Sequence, residues 1–285
     1  MLKKIVFPLF IVVTLVSCQK EIDWNLPPGG GTGGGSTNGD LLVQALEITP
    51  ATNDTNTITF QWDANKKLTL YKSSGKVNGI NTQIVHTINR LSDGKIKNII
   101  SKSSATAGAI DSVVYTFYYT GAQVSYVIDT QYTLVGQLRD SISFLYNAQG
   151  KVSQKDSYLD FFGTSSHSLR ERYQYDASGN LTTDSVFIPD GLGGFDLGSV
   201  ATSTYTTHKN AVVLGEESYV VLGASNVSVN FASGSSTDAS GIGGTSFTGT
   251  FSQVQYNSFD RPTQANLSVT PQPPGYELKM LFYYQ

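Results

Sequence analysis

The chain has 285 residues, of which 14% are charged, and its formal net charge is −3. This weakly acidic balance lacks the concentrated basic face that nucleic-acid binding requires, so it excludes that class of partner. The single cysteine excludes an internal disulfide. The chain is rich in tyrosine, phenylalanine, valine and threonine, which favour strands, and in glycine and serine, which favour turns. We therefore expect an all-β protein.

The first predicted element is a short apolar segment behind a basic tip. Lys3 and Lys4 precede an apolar run from Ile5 to Val16, which is shorter than the ~20 residues that a bilayer-spanning helix needs. A basic tip, a short apolar core and a small residue before a cleavage point are the parts of a secretory signal. We therefore predict that residues 1–17 are removed.

Cys18 closes this segment and is the only cysteine in the sequence. The run Leu15-Val16-Ser17-Cys18 resembles a bacterial lipobox. The resemblance implies that Cys18 becomes the mature N-terminus and carries acyl chains such as palmitate, which makes a membrane its partner. Two or three acyl chains anchor a protein stably, whereas one holds it only marginally. The alternative is an ordinary signal peptide with a cysteine nearby by chance.

Residues 18–39 are predicted to form a tether. The stretch from Asn25 to Gly39 is rich in glycine and proline and has too little apolar surface to offset the entropy lost on ordering. The segment 19–23, Gln-Lys-Glu-Ile-Asp, is similar to the lysine-plus-acidic export signal of Bacteroidota lipoproteins, although Ile22 separates its acidic residues. This similarity implies the outer membrane, and it favours the cell surface over the periplasmic face.

A repeated hairpin pattern organises residues 40–285, which we expect to form one domain. In the segment 173–181, alternating residues enter a strand, Asp176 starts a turn and Gly179 supplies a positive φ. An aromatic position, here called a slot, recurs every 25–30 residues, and an apolar exit position follows several of the slots. The slots are Trp62, Tyr118, Tyr146, Tyr175, Tyr205, Phe231, Tyr256 and Tyr284, with Arg90 in the same register. The exit positions are Leu68, Ile96, Val124, Val152 and Leu181.

About eight hairpins of ~28 residues predict an antiparallel meander of roughly 17 strands. A flat sheet with ~4.8 Å per strand would approach ~80 Å in width, so we expect the sheet to be curled or barrel-like. Tyr284 predicts a last strand that covers an open edge. Where the turn glycine is replaced, we expect a different turn shape. The replacing residues are Lys66, Ala122, Lys209 and Asp260.

The pattern Tyr-x-Tyr-Asp-x-x-Gly-x-Leu at 173–181 resembles the YD repeats of RHS-type bacterial surface proteins. The segment 144–152 matches it fairly, and 256–262 keeps only its outline. The resemblance implies a degenerate repetitive β architecture and, together with Cys18, a Bacteroidota-type outer-membrane lipoprotein. Arrays of this family wrap a cavity, sometimes around a toxic domain, for which this chain has no room.

The sequence shows no catalytic, cofactor-binding or metal-binding motif. His86, His167 and His208 are isolated from one another, so a zinc site is not supported. There is no Gly-x-Ser-x-Gly elbow for a nucleophilic serine. A glycoside hydrolase needs only two carboxylates, but Glu171 and Asp160, which lie beside aromatics, are typical of solvated strand edges.

Surface chemistry leaves two further hypotheses. The slot aromatics could stack on sugars, although cross-strand packing alone would produce the same ladder. Three Asp-Ser-apolar triplets resemble the O-glycosylation sites of exported Bacteroidota proteins, and their serines are Ser112, Ser141 and Ser185. The alternative for these triplets is that they are polar-to-apolar strand starts.

The sequence thus predicts an outer-membrane lipoprotein with a non-catalytic binding or structural β domain. The alternatives are a glycan-binding module of a polysaccharide-uptake system and a glycoside hydrolase, and the predicted partner is a glycan or a surface protein. We expect binding specificity at the loops 189–198, 232–246 and 271–275, which break the rhythm of the repeat. A membrane-embedded barrel is disfavoured, because polar runs such as 101–104 interrupt any lipid-facing stripe.

Overall fold

The computed structural model describes residues 39–77, 80–104, 110–133, 136–161, 163–271 and 277–285. The predicted signal segment, Cys18 and most of the predicted tether lie outside the described residues. No helix in the described part of the chain is long and apolar enough to cross a membrane.

The described chain forms an antiparallel barrel. Each strand pairs with the next one in sequence, and β16 pairs with β1, which closes the sheet. The strands are β1 Leu42–Thr49, β2 Asp54–Trp62, β3 Leu68–Val77, β4 Ile80–Arg90, β5 Ile96–Ser103, β6 Ile110–Thr120, β7 Gln123–Thr133, β8 Gly136–Tyr146, β9 Val152–Phe161, β10 Thr164–Tyr175, β11 Leu181–Pro189, β12 Phe195–Lys209, β13 Asn230–Asp238, β14 Phe247–Tyr256, β15 Pro262–Thr270 and β16 Glu277–Tyr284. The predicted antiparallel meander is confirmed, and it is fully closed.

The inner wall of the barrel carries the apolar core. Because side chains alternate between the two faces of a strand, Tyr115, Phe117 and Tyr119 of β6 share one face and pack with the core. Aromatic side chains continue this layer around the barrel, with Phe144 in β8 and Phe282 in β16. The barrel is therefore filled with apolar side chains over much of its interior.

The outer wall is polar. In β14 and β15, Phe251 and Leu267 oppose each other on the inner side, so their sequence neighbours point outward. These outward neighbours are Thr250, Ser252, Asn266 and Ser268. The same alternation turns Thr55, Thr57 and Thr59 of β2 and Thr202 and Thr204 of β12 to the outside. Lipid-facing strands instead present a continuous apolar band, and the described strands carry none.

Exposed apolar side chains do occur on the outer wall, but they do not form a band. Tyr118 and Tyr126 are each 40% exposed and stack on each other, with ring centroids 4.4 Å apart. Leu145 of β8, the strand next to β7, is also exposed. Polar residues such as Ser143 and Thr116 occupy the neighbouring outward positions. Such scattered apolar residues are normal on a water-exposed surface.

The turns at one end of the barrel share one geometry. In the turn after β8, Asn147 N donates to Lys151 O and Gly150 N donates to Asn147 O, with Gly150 at a φ of +75°. The turn after β2 repeats both bonds although Lys66 replaces the glycine, at a φ of +59°. Asp260 adopts +65° in the same way. The predicted change of turn shape at Lys66 and Asp260 is therefore wrong, because both residues accept the left-handed conformation.

A belt of side-chain donors lies next to these turns. Tyr146, Tyr175, Tyr205 and Tyr284 donate their hydroxyls to backbone carbonyls one hairpin earlier, over 2.5 to 3.0 Å. Trp62 does the same through Nε1, and Arg90 through its guanidinium. The accepting carbonyls belong to Val124, Val152, Leu181, Pro262, Leu42 and Leu68. The five exit positions are all buried. Each donor thus ties its strand to the preceding hairpin.

Three slot residues depart from this arrangement. Tyr119 rather than Tyr118 donates to Ile96 O, because the turn after β6 has only two residues and places Tyr119 at the last inward position. Phe231 starts β13 and packs on Phe251 in the interior. Tyr256 stacks on His208, with ring centroids 3.8 Å apart. The assignment of Tyr118 to a slot is therefore corrected to Tyr119.

Candidate ligand-binding lumen

The segment between β12 and β13, residues 210–229 and here called the plug, folds into one end of the barrel. It contains the short helical turns Ser218–Leu222 and Ala224–Val227. Its residues Ala211, Leu214, Tyr219 and Val227 are buried in the same core as the strand side chains. The repeat pattern of the sequence does not predict this insertion, because the hairpin rhythm continues through these residues.

Polar contacts fix the plug to several strands. Glu217 forms an ion pair with Arg90 of β4 at 3.6 Å, and both side chains are largely buried. The Tyr219 hydroxyl lies 2.7 Å from the Tyr175 hydroxyl of β10, and Lys155 of β9 donates to Tyr219 O at 3.2 Å. β9 and β10 lie across the barrel from β1, and β4 lies three strands from β1. The plug therefore spans the lumen and closes this end.

A cavity of about 400 Å³ lies between the plug and the strands around the seam, the place where β16 pairs with β1. This volume is within the range of small-molecule sites, which runs from about 300 to about 1,000 Å³. The cavity is lined mainly by apolar side chains. These include Leu42, Ala45, Ile58, Phe60, Phe231, Phe251, Met280 and Phe282 from the wall and Val212, Leu214 and Leu222 from the plug.

One carboxylate, that of Glu47, lies in the wall of this apolar cavity. Its Oε2 accepts a hydrogen bond from Asn56 Nδ2 at 2.8 Å, and Ser73 Oγ holds the amide of Asn56 from the other side at 3.0 Å. Burial raises the pKa of Glu47, and the Asn56 bond opposes the rise. Burial, followed by the nearby charge of Glu47, raises the pKa of Tyr71 to about 12. Glu47 and Tyr71 thus form the polar corner of the cavity.

A second group of carboxyls faces the lumen on β7 and β8. Asp129 opposes Tyr115 on one side and Asp140 on the other. Burial, followed by the charge of Asp140, raises the pKa of Asp129 to about 7. Asp129 Oδ1 has no hydrogen-bond partner in the described part of the chain. Two carboxyls this close in a poorly solvated wall disfavour double ionisation.

A third group of ionisable side chains lies near Tyr219 of the plug, on β9, β10 and β11. Lys155 forms an ion pair with Glu171, and Asp184 opposes the buried Tyr173 on the same inner face. Burial, followed by the charge of Glu171, raises the pKa of Asp184 to about 7, while Lys155 opposes the rise. The prediction that Glu171 lies at a solvated strand edge is wrong, because its side chain is largely buried and faces the interior.

These carboxyls give a testable pH dependence. A carboxyl whose pKa is raised on folding binds its proton more tightly in the folded state, so stability is full below the unfolded pKa of about 4 and falls as pH rises towards about 7. We expect Asp184→Asn to remove this loss. The free energy of unfolding of Asp184→Asn minus that of wild type should therefore increase by about 1–3 kcal/mol from pH 4.5 to pH 8.

Urea unfolding at the two pH values measures this difference. His86, whose pKa burial lowers to about 4, titrates in the opposite direction, but it is present in both proteins and cancels in the difference. Asp93→Asn is the matched control because Asp93 is exposed in a turn. A difference between Asp184→Asn and wild type that does not change with pH would contradict the assignment.

The remaining predicted residues are spread over the barrel. His86 faces the interior beside Tyr71, His167 lies 2.9 Å from Asp156, and His208 lies 2.6 Å from Asp260. No group of three or more metal-ligating side chains occurs in the described ranges. Ser141 and Ser185 lie within strand ladders on the outward side, and Ser112 lies near the start of β6 beside Asp111. Their glycosylation stays a prediction.

The predicted binding loops lie at the end of the barrel opposite the plug. Residues 189–198 form the connection from β11 to β12, and 232–246 include most of β13 and the short helical turn Ser240–Ile242. Most of the loop 271–275 lies outside the described residues. The cavity lies nearer the other end, and of the described parts of these segments only 232–246 lines it, through Ala232 and Ser235 of β13.

Comparison with known proteins supports the fold. No protein-family model matches the sequence, and no curated protein matches it. The solved structures do include similar barrels. A porin-like protein from Bacteroides uniformis is 13% identical, with a TM-score of 0.52 over 88% of this chain and 99% of that one. A porin-like protein from Bacteroides vulgatus is 8% identical, with a TM-score of 0.51 over 86% and 98%.

At such low identity these similarities show the fold alone. They establish that an antiparallel barrel of this kind occurs in solved Bacteroides structures. The polarity of the wall is a separate property, because it depends on which face of each strand carries the apolar residues. In the present chain that face is the inner one.

Proposed function

We propose that this protein is a non-catalytic, small-molecule-binding barrel tethered to the outer membrane through lipid on Cys18. The observation that carries the proposal is the combination of a polar outer wall with a plugged apolar interior. A wall of this kind is stable in water, and its interior offers a binding site. The lipid anchor would then supply the membrane attachment that the wall itself does not.

The anchored position is supported by the sequence and by the fold. The run ending at Cys18 has the features of a lipobox, and the similar solved barrels come from Bacteroides, a genus whose cells have an outer membrane. The described chain begins and ends at the plugged end, where Leu41 N donates to Gln285 O. A tether that enters there would direct the opposite end, with the predicted binding loops, away from the membrane.

The anchor has its own test. Cells grown with an alkyne-labelled palmitate should label the wild-type protein and not Cys18→Ser. Protease added to intact cells should degrade the labelled protein if it is displayed on the surface. Labelling of Cys18→Ser would overturn the lipid assignment, and protection from protease would overturn surface display.

A transport pore is the first rival. The plug closes one end of the lumen through the Arg90–Glu217 and Tyr175–Tyr219 contacts. A pore in a bilayer would need an apolar outer band instead of the threonine-rich wall described above. Both observations favour binding over conduction.

Glycan binding through the slot aromatics is the second rival. The hydroxyls of Tyr146, Tyr175 and Tyr205 are already engaged with backbone carbonyls. The rings of Tyr146 and Tyr175 pack against the core, and Tyr205 lies in the inner wall. The slots therefore serve packing. A glycan array probed with the protein remains the direct test of this alternative, and a hit that survives blocking of the lumen would favour it.

The test of lumen binding uses the mature chain, residues 18–285 with Cys18→Ser, here called the unlipidated chain. We expect the neutral apolar dye N-phenyl-1-naphthylamine to bind it saturably, with increased fluorescence. We also expect one site per chain, in the cavity next to the plug. Absence of any saturable increase would contradict lumen binding.

A further inference from the structure

The cavity next to the plug has a specific chemistry, and this inference rests on the proposed lumen binding. Its lining combines aromatic and aliphatic side chains with neutral polar ones, such as Ser203 and Asn226, and with a single carboxylate, that of Glu47 beside Tyr71. Glu47 Oε2 accepts a hydrogen bond from Asn56. An apolar site with a few convergent polar groups is typical of a ligand site in which those groups set orientation.

The charges around the lumen favour a positive ligand. The carboxyls that face it include those of Glu47, Asp129, Asp140 and Asp184, whereas Lys155 is already paired with Glu171. Arg90 is paired with Glu217 on the plug. A low-dielectric interior with charges of one sign attracts ligands of the opposite sign.

We propose that this cavity binds a cationic amphiphile, with an apolar chain between the plug and the seam strands and a protonated amine at Glu47. The chain would contact Phe60, Phe251 and Phe282. The amine would donate to the Glu47 carboxylate beside Asn56, and its charge would hold Glu47 in the ionised form.

Three probes of one chain length separate the contributions. Dodecylamine, dodecanol and dodecanoate share the apolar chain and differ in the charge of the head group. Each is used below the concentration at which it forms micelles, and its binding to the unlipidated chain is measured by dye displacement and by calorimetry. We expect dodecylamine to bind about tenfold or more tightly than dodecanol, because a charge-assisted hydrogen bond is stronger than a neutral one. Dodecanoate should bind least.

Two kinds of variant locate the site. Glu47→Gln should abolish the preference for the amine and leave dodecanol binding within about twofold, since the amide keeps the shape and removes the charge.

Ala45→Phe fills the cavity from the wall and should weaken the binding of all three probes. Leu222→Trp fills it from the plug and serves the same purpose if Ala45→Phe does not fold. Asp93→Asn is the control, because Asp93 is exposed in a turn and is not among the lining residues.

The outcomes separate this inference from the proposed function. If neither the dye nor any probe binds, lumen binding itself is overturned. If the dye and dodecanol bind but dodecylamine shows no preference, or keeps its preference in Glu47→Gln, the cationic-amphiphile assignment is overturned while lumen binding stands. Unchanged binding in a folded cavity-filling variant would show that the site is elsewhere, which also overturns the assignment.

Discussion

Replacing Arg90 with methionine is expected to lower the free energy of unfolding by about 3–5 kcal/mol at pH 8, because it leaves the buried Glu217 carboxylate without its partner. The loss should be smaller at pH 5. Burial raises the pKa of Glu217 and Arg90 opposes the rise, so without the arginine Glu217 accepts a proton more easily. The measurement is urea unfolding of the unlipidated chain at both pH values.

The double variant Arg90→Met with Glu217→Gln provides the control for this prediction. It removes the unpaired charge, and we expect it to recover at least half of the loss at pH 8. The bonds from Arg90 to the carbonyls of Leu68 and Gly94 are missing in both variants and explain the part that is not recovered. Equal losses in the single and double variants would show that the ion pair does not fix the plug.

Tyr284→Ala is expected to destabilise the barrel by about 3–5 kcal/mol, since the side chain is fully buried where β16 meets β1. The Tyr284 hydroxyl also donates to Pro262 O at 2.7 Å. Tyr284→Phe keeps the ring and removes only this bond, so it should cost about 1–2 kcal/mol. Thermal and urea unfolding of both variants measure the two effects separately.

The comparison of these two variants tests how the barrel closes. A much larger cost for alanine than for phenylalanine means that ring packing at the seam dominates. Tyr283→Ala is the matched control, because Tyr283 is on the outward face of the same strand. If Tyr283→Ala were as costly as Tyr284→Ala, the inner packing of the seam would not be the reason.

Local sequence signals were sufficient to predict the meander. Alternation in segments such as 113–119 and turn chemistry such as Asp176 with Gly179 depend on neighbouring residues only, and the structure contains both features. Curling could be anticipated from the size of the sheet, whereas closure depends on the pairing of β1 with β16, which are distant in the sequence. The number of strands near the end of the chain could not be anticipated, because the irregular segment 210–229 interrupts the hairpin repeat there.

The plug was missed because long-range contacts determine its position. Nothing near Glu217 in the sequence points to Arg90, and the two residues meet only when the barrel is closed. The plug sequence has neither the two-residue alternation of a strand nor the pattern of a hairpin turn, so periodicity does not predict it.

The inner carboxyls could have been found in part. Counting every second residue back from Tyr146 gives Phe144, Ile142 and Asp140, which are all on the inner face. The same count in β7, started from the exit position Val124, does not reach Asp129. A bulge between Val124 and Tyr126 shifts the alternation in β7, and a bulge has no clear sequence signal.

The central claim is that the barrel wall faces water and the lumen is the binding site. The most direct test is to express the unlipidated chain, purify it without detergent and add it to planar lipid bilayers. We expect a monodisperse protein in aqueous buffer, with the sheet content of the barrel by circular dichroism and no channel conductance. A chain that dissolves and folds only in detergent, and then conducts ions across the bilayer, would contradict the account.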